Sequence, residues 1–157
     1  MFQFFSYIYI YMINIYEPNI NKYTNNAIKA IKEGWISNHG KNIELATNKI
    51  NEVIKNKYSI LMTNGTCATH CLFLSLKFKY PEIQKIYVPN NCYVAAWNAA
   101  LMVYNIKQLE VMKMDINTWN VCMDKDYIES LEKNSAILIV HNLGNIVNVP
   151  RLKSIRS

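Results

Sequence analysis

The chain has 157 residues, of which 51% are hydrophobic and 18% are charged, while glycine and proline contribute only 4 each. This composition predicts an ordered globular protein and excludes disordered, collagen-like and disulfide-stapled miniprotein classes. The net charge of +6 comes mainly from lysines, which are dispersed between Lys22 and Lys153. Because these lysines form no basic cluster, we expect no dedicated nucleic-acid surface.

The cysteines indicate the redox environment of the protein, and the N-terminal stretch indicates where its folded part begins. No C-x-x-C pair or zinc-type histidine spacing occurs, which predicts no metal site and buried free thiols at Cys67, Cys71, Cys92 and Cys122. The uncharged stretch 1–16 lacks a basic start and is shorter than the roughly 20 residues that span a bilayer. We therefore expect a cytoplasmic protein with no membrane partner. Met12 is a second plausible start, so 1–11 is interpreted as a possible upstream extension and 12–157 as the folded part.

The first predicted elements are two helices separated by a loop. A cap near Thr24 precedes apolar residues at helical spacing, and Gly34 ends this pattern. The segment 34–40 breaks the periodicity, and helical spacing resumes from Ile43 to Lys57.

An alternation of strands and helices follows. The apolar run 58–63 predicts a strand, the turn Asn64-Gly65-Thr66 ends it, and helical spacing then continues to Leu76. The cycle recurs with strands predicted at 85–88, 108–114 and 136–140 and helices predicted at 93–104 and 124–133. Strands that alternate with helices predict an α/β fold with a mainly parallel sheet.

Ligands of α/β sheets bind at the carboxyl ends of the strands, so function is sought there. Gly65 allows close approach to the backbone, Thr66 offers a hydroxyl, and a helix start presents unpaired N–H groups, a combination that suits a phosphate. The alternative is that Gly65 is small only for steric reasons.

Other residues at strand ends have two interpretations each. Tyr93 is placed to lay its ring on a flat ligand or to pack into the core, and His141 is either a ligand contact or a hydrogen-bonded residue. Packing roles are the simpler interpretation for the tryptophans, and surface or satisfied polar roles for the remaining histidines: Trp35, Trp97, Trp119, His39 and His70.

A set of motifs, rather than any one residue, resembles a known family. The set reads GWISNHG at 34–40, NGTCA at 64–68, VP at 88–89, YVAAWNA at 93–99, MD at 114–115 and VHNLG at 140–144. In this order and spacing it is similar to the N-terminal part of the DegT/StrS-type sugar aminotransferases, with perosamine-synthase-like members most similar.

The resemblance implies part of the large domain of the pyridoxal-phosphate-dependent transferase fold type I, an incomplete three-layer α/β/α structure. It also implies pyridoxal phosphate as cofactor, glutamate as amino donor, a keto sugar on a nucleotide diphosphate as substrate, and a homodimer in the full-length form. By position, the N–H groups of Gly65 and Thr66 hold the cofactor phosphate and Tyr93 stacks on its pyridine ring. The 34–40 loop is expected near the active-site mouth and the dimer interface.

The family also has an aspartate that pairs with the pyridine nitrogen and a lysine that binds the cofactor covalently, both after the strand that ends at His141. None of the lysines up to Lys153 fits that motif. The leading hypothesis is an N-terminal fragment that does not transaminate alone. The alternatives are a non-catalytic phosphate-binding or interaction module that pairs with a full-length homologue, and an enzyme reassembled with a separate C-terminal piece.

The resemblance further implies that the strand at 58–63 pairs with sequence beyond Ser157, whereas the other predicted strands neighbour one another. We therefore expect 58–63 to lack ladder partners and the strand ending at His141 to have an open edge.

Overall fold

The computed structural model describes residues 18–34 and 37–150. It divides into two compact units, Met1–Leu61 and Met62–Ser157, which are described separately. The predicted extension 1–11, together with Trp35 and Ile36, lies outside the described residues. No helix within the described ranges is both long enough and apolar enough to cross a membrane.

The first unit contains the two predicted helices. Helix α1 spans Thr24–Lys32 and α2 spans Lys41–Ile54, which confirms both predicted helices. The predicted cap near Thr24 is wrong, because α1 continues directly from a 3-10 turn and its N-cap residue, Tyr23, makes no side-chain capping hydrogen bond. Helix α2 begins after Gly40, whose φ of 124° is accessible chiefly to glycine, and it ends three residues earlier than predicted. It ends there because Lys55 adopts a left-handed conformation with φ 52°, a common way to terminate a helix.

The strand predicted at 58–63 is not formed, so that prediction is wrong for this chain. The segment is assigned to no strand and pairs with no other part of the described chain. Tyr58 and Ile60 are 73% and 80% exposed. The expectation that this segment lacks ladder partners is therefore confirmed, and the physical reason is that a strand needs a neighbour to satisfy its backbone groups.

The second unit alternates helices with the three remaining predicted strands. Its elements are α3 Gly65–Lys79, β1 Lys85–Pro89, α4 Val94–Leu101, β2 Leu109–Met112, α5 Lys125–Ser130 and β3 Ser135–Ile137. The strands form one parallel sheet in the order β2-β1-β3. In this register Ile86 of β1 lies opposite Leu109 of β2 and Ala136 of β3.

Two strands are shorter than predicted. Beyond Met112, β2 leaves the parallel ladder, and Met114 instead forms an antiparallel bridge with Val121. Strand β3 ends at Ile137, although the Leu138 N–H still donates to the Tyr87 carbonyl at 2.8 Å.

The central strand separates two apolar layers. Ile86 and Val88 are fully buried in a cluster with Phe73 of α3 and Ala99 of α4. Tyr87 points to the opposite face and packs in a second cluster, whose buried members also include Met112, Val121, Ile128 and Val147. Because successive side chains of a strand alternate between faces, β1 is buried on both sides, as is typical of a parallel sheet between helices. The incomplete three-layer α/β/α fold is thus present.

Three turns are relevant to a ligand site at the carboxyl ends of the strands: the turn at the start of α3 and the turns that follow β1 and β3. Residues 80–84 join the end of α3 to the start of β1, and Phe73 and Leu76 of α3 pack in the cluster that contains Ile86 and Val88. A connection this short is typical of a helix that runs antiparallel to the strand it precedes, so we expect the first residue of α3 toward the end of the sheet where β1 ends. The turns that follow β1 and β3 lie at that same end because the strands are parallel.

Candidate functional site

The start of α3 is set by Asn64. This residue has extended φ and ψ of −163° and 171°, and its side-chain oxygen accepts a hydrogen bond from the Cys67 N–H at 2.9 Å. The Thr69 hydroxyl donates to the Gly65 carbonyl at 2.8 Å. Asparagine is among the preferred N-cap residues because its side chain satisfies one of the free helix N–H groups. Gly65 and Thr66 therefore form the first two positions of the helix.

The N–H groups of Gly65 and Thr66 have no acceptor among the described residues, and both residues are exposed. Unpaired N–H groups at a helix N-terminus, together with the helix dipole, favour an anion. The residues at this turn thus fit a phosphate group.

The space beside Gly65 is open. A Cβ added there meets no atom within 4 Å, and the residue lies outside the left-handed region. Neither backbone conformation nor packing within the described chain therefore requires glycine, so the steric alternative receives no support. A ligand has room to approach the helix start directly.

Tyr93 is the N-cap residue of α4, and it is 81% exposed. The interpretation that this ring packs into the core is therefore wrong. The preceding turn is held by the Pro89 carbonyl, which accepts from Trp97 Nε1 at 3.0 Å and from the Cys92 thiol at 3.6 Å. Burial raises the pKa of the Cys92 thiol, which keeps it in the neutral form that can donate. The turn presents the Tyr93 ring to solvent at the carboxyl edge of β1.

His141 follows β3 and is exposed. Its Nδ1 accepts a hydrogen bond from the Val147 N–H at 3.0 Å, while Nε2 has no partner among the described residues. The two interpretations of His141 are therefore compatible, since one ring nitrogen accepts a backbone hydrogen bond and the other has no partner within the described residues.

The carboxylate of Asp115 is held by hydrogen bonds within its own turn. Its two carboxylate oxygens accept from the Asn117 N–H at 2.9 Å and from the Thr118 hydroxyl at 3.0 Å. These hydrogen bonds, that from the Asn117 backbone first, lower the pKa of Asp115 below its ordinary value. The carboxylate closes the turn after β2.

Asparagine side chains form a hydrogen-bond network between the loops that follow the strands, and the sequence pattern did not predict it. The Asn91 amide donates to the Trp119 carbonyl at 2.7 Å, and the Asn145 amide donates to the Thr118 carbonyl at 2.7 Å. Asn120 is only 5% exposed and donates to the Asn145 carbonyl at 3.1 Å. With 21 asparagines in the chain, residue type alone carried no signal for these contacts.

The structure also corrects two packing expectations. Trp97 packs against the first core cluster as predicted, but Trp119 is 67% exposed, so its assignment as a packing residue is wrong. All four cysteines are free thiols, but Cys67 is exposed and the others are half-buried. The prediction that all of them are buried is therefore wrong, because Cys67 lies on the solvent side of the first turn of α3. The packing role of Trp35 lies outside the described residues.

Comparison with known proteins identifies relatives that match most of the chain. It is 27% identical over 153 residues to a GDP-perosamine synthase from Vibrio cholerae, an alignment that covers 92% of this chain and 38% of the relative. It is 28% identical over 137 residues to a GDP-perosamine synthase from Escherichia coli O157:H7, covering 85% of this chain and 36% of that protein.

Solved structures share the fold. The Escherichia coli GDP-4-keto-6-deoxy-D-mannose-3-dehydratase with bound hydrated PLP superposes with a TM-score of 0.67 at 22% identity, over 85% of this chain and 36% of that one. A ColD variant gives a TM-score of 0.68 at 22% identity, over 84% and 35% respectively.

The chain thus spans a little over a third of the length of its curated relatives. The sequence profile of the DegT/DnrJ/EryC1/StrS aminotransferases matches residues 18–157. Because this match covers most of the chain, the protein belongs to the DegT/DnrJ/EryC1/StrS aminotransferase family.

Proposed function

We propose that this chain supplies the phosphate-holding N-terminal part of a pyridoxal-phosphate-dependent nucleotide-sugar aminotransferase. The observation that carries the proposal is the helix start at Gly65 and Thr66, where two backbone N–H groups are unpaired and the adjacent space is open. Family membership and the two GDP-perosamine synthase relatives support the reaction class.

In this proposal each residue has a defined task. The N–H groups of Gly65 and Thr66 bind the cofactor phosphate, and the exposed ring of Tyr93 stacks on the pyridine. When bound, pyridoxal phosphate supplies an electron sink for the carbon that loses its proton. The amino donor is glutamate and the acceptor a keto sugar on a nucleotide diphosphate, in a homodimer of the full-length protein.

The proposal assigns no catalysis to these 157 residues alone. Proton transfer and covalent cofactor binding need a lysine, and the family places its lysine after the segment to which this chain corresponds. We expect no keto acid to form from glutamate when the chain is incubated with pyridoxal phosphate and a nucleotide keto sugar. We further expect borohydride to trap no stoichiometric adduct on a single lysine, and such an adduct would contradict the proposal.

The decisive test is binding of pyridoxal phosphate and of inorganic phosphate by the Gly65→Val variant. Valine has room at this position within the chain itself, so circular dichroism should match that of the wild type. Its side chain occupies the space through which the phosphate approaches, so we expect binding to be lost. His39→Ala is the control, because His39 is exposed and the proposal gives its side chain no contact with the phosphate. Equal affinity of wild type and Gly65→Val would refute the site.

The second candidate is a non-catalytic module that binds a phosphorylated ligand or pairs with a full-length homologue. The same helix start supports it, because an anion site needs no lysine. Phosphate binding without pyridoxal phosphate preference, and without activity in the presence of the remaining part of a relative, would favour this candidate.

A further inference from the structure

The loop between β2 and α5 is hydrogen-bonded to the turns that follow both other strands. The side-chain amide of Asn91, in the turn after β1, donates to the Trp119 carbonyl at 2.7 Å. The side-chain amide of Asn145, which follows β3, donates to the Thr118 carbonyl at 2.7 Å. Strand β1 lies between β2 and β3 in the sheet, so these two contacts join three loops across the end of the central strand.

The Trp119 carbonyl is an acceptor in a fixed position. Trp119 adopts a left-handed conformation with φ 57°, which is uncommon for a residue other than glycine and persists only where contacts hold it. Here the Trp119 N–H donates to the Asp115 carbonyl at 2.8 Å, and the Thr118 hydroxyl donates to the Asp115 carboxylate at 3.0 Å. The loop after β2 therefore offers Asn91 a defined partner.

The ring of Tyr93 takes its position from the backbone of the turn that precedes it. The residue is 81% exposed and caps α4 without a side-chain hydrogen bond, so few contacts hold the ring directly. One anchor of the turn is the Pro89 carbonyl, which accepts from Trp97 Nε1 at 3.0 Å. The second is Asn91, two residues before Tyr93, whose partner lies 28 residues away in the sequence.

We propose that Asn91 is a positioning residue for the Tyr93 ring, which it holds in place for a planar ligand by tying the turn 90–92 to the Trp119 carbonyl. This inference rests on the proposed function, in which the Tyr93 ring stacks on the pyridine of pyridoxal phosphate. Because the turn is ordered before the ligand arrives, less conformational freedom is lost on binding. Asn91 acts through Tyr93 and makes no contact with the ligand.

A positioning role affects the two halves of the ligand differently. The phosphate site at Gly65 and Thr66 belongs to α3, whereas Asn91 and Tyr93 belong to the turn before α4. Loss of the Asn91 amide should therefore weaken binding of a ligand that has a ring and leave binding of phosphate alone unchanged.

The test compares the binding of pyridoxine phosphate and of inorganic phosphate by the full chain. Pyridoxine phosphate has the ring and the phosphate but no aldehyde, so it forms no imine with the lysines of the chain. Asn91→Ala removes the amide, and Asn91→Leu keeps a similar side-chain size without a donor. We expect each variant to bind pyridoxine phosphate about fivefold more weakly and inorganic phosphate with wild-type affinity.

Asn90→Ala is the matched control. Asn90 lies in the same turn and is exposed, and its side chain makes no hydrogen bond within the described residues. We expect this variant to bind both ligands as tightly as the wild type does.

Two further measurements show whether Asn91 acts through the ring. If it does, adding Asn91→Ala to a Tyr93→Ala variant causes no further loss of pyridoxine phosphate binding. In the ligand-free protein, we expect the backbone NMR order parameter of Tyr93 to be about 0.85 in the wild type and below about 0.6 in Asn91→Ala. This second readout does not depend on cofactor binding.

Four outcomes would overturn the proposal: unchanged affinity of the Asn91 variants for pyridoxine phosphate, an equal loss for both ligands, additive losses from Asn91→Ala and Tyr93→Ala, or an unchanged order parameter at Tyr93. Failure of the proposed function is recognised separately. If Gly65→Val binds pyridoxine phosphate as tightly as the wild type does, the phosphate site is refuted. If Gly65→Val loses binding while Asn91→Ala binds normally, only the positioning role of Asn91 is refuted.

Discussion

Several polar side chains of the second unit hold turns in place, and Asp115 is an example with a measurable consequence. Both of its oxygens accept hydrogen bonds from the turn that follows β2. A carboxylate that accepts such bonds in the folded state is harder to protonate there than in the unfolded chain. Its contribution to stability therefore depends on pH.

We predict that Asp115→Asn destabilises the protein near neutral pH and that the difference from wild type disappears in acid. The folded state lowers the pKa of Asp115, so its stabilisation is fully present above the ordinary pKa of about 3.9 and is lost as pH falls through the lower folded value. Denaturation midpoints of both proteins, measured from neutral pH to well below the ordinary pKa of the carboxyl group, test this. Glu82→Gln is the control, since Glu82 is exposed and no ion pair or hydrogen bond involves its carboxylate in the described structure. A difference that stays constant across the pH range would contradict the assignment.

At the scale of elements, the beginning of α3 is defined by a side-chain cap. The Asn64 side chain satisfies the Cys67 N–H and leaves the N–H groups of Gly65 and Thr66 to a ligand. The cap thus also positions the proposed phosphate site, so loss of the cap affects both stability and binding.

We predict that Asn64→Ala lowers the free energy of unfolding by about 1 kcal/mol, while Asn64→Ser retains most of the wild-type stability. Serine accepts the same hydrogen bond and alanine does not. Urea denaturation of the three proteins measures the effect, and phosphate binding should weaken in the alanine variant alone. Equal stability of the alanine and serine variants would show that the helix start is held by other contacts.

At the scale of the molecule, the described residues leave much apolar surface uncovered. In α3, Phe78 is 91% exposed and Leu72 is 57% exposed, while in the first unit no residue of either helix is buried. Marginal stability follows, because each apolar side chain left in water forfeits roughly 1.5–3 kcal/mol of burial. We therefore expect the chain alone to be poorly stable or to aggregate, and to be stabilised by a complementary part.

Native-state hydrogen exchange should show this uneven stability along the chain. Amides of 58–62 should exchange almost as fast as in an unfolded peptide, whereas those of 86–88 should be the slowest, because the first segment has no ladder and the second has neighbours on both sides. Slow exchange throughout 58–62 in a monomer with cooperative unfolding would show that this chain completes its sheet in another way, and would favour the stand-alone module.

Local chemistry accounts for what the sequence alone determined. Helix hydrogen bonds join residues four apart, so the periodicity of apolar residues sufficed to predict α1, α2 and α3. Short apolar runs predicted the three strands of the second unit, and the set of motifs indicated the family without knowledge of tertiary contacts.

Tertiary structure decided the features that depend on distant neighbours. The run at 58–63 has strand composition, but a strand forms only against a partner, and the described chain offers none. The exposure of Tyr93 and the burial of Asn120 likewise depend on which loops meet at the carboxyl edge of the sheet. Hydrogen-bond ladders and the burial of side chains depend on contacts between residues that are far apart in the chain. Composition and local spacing therefore do not reveal them directly.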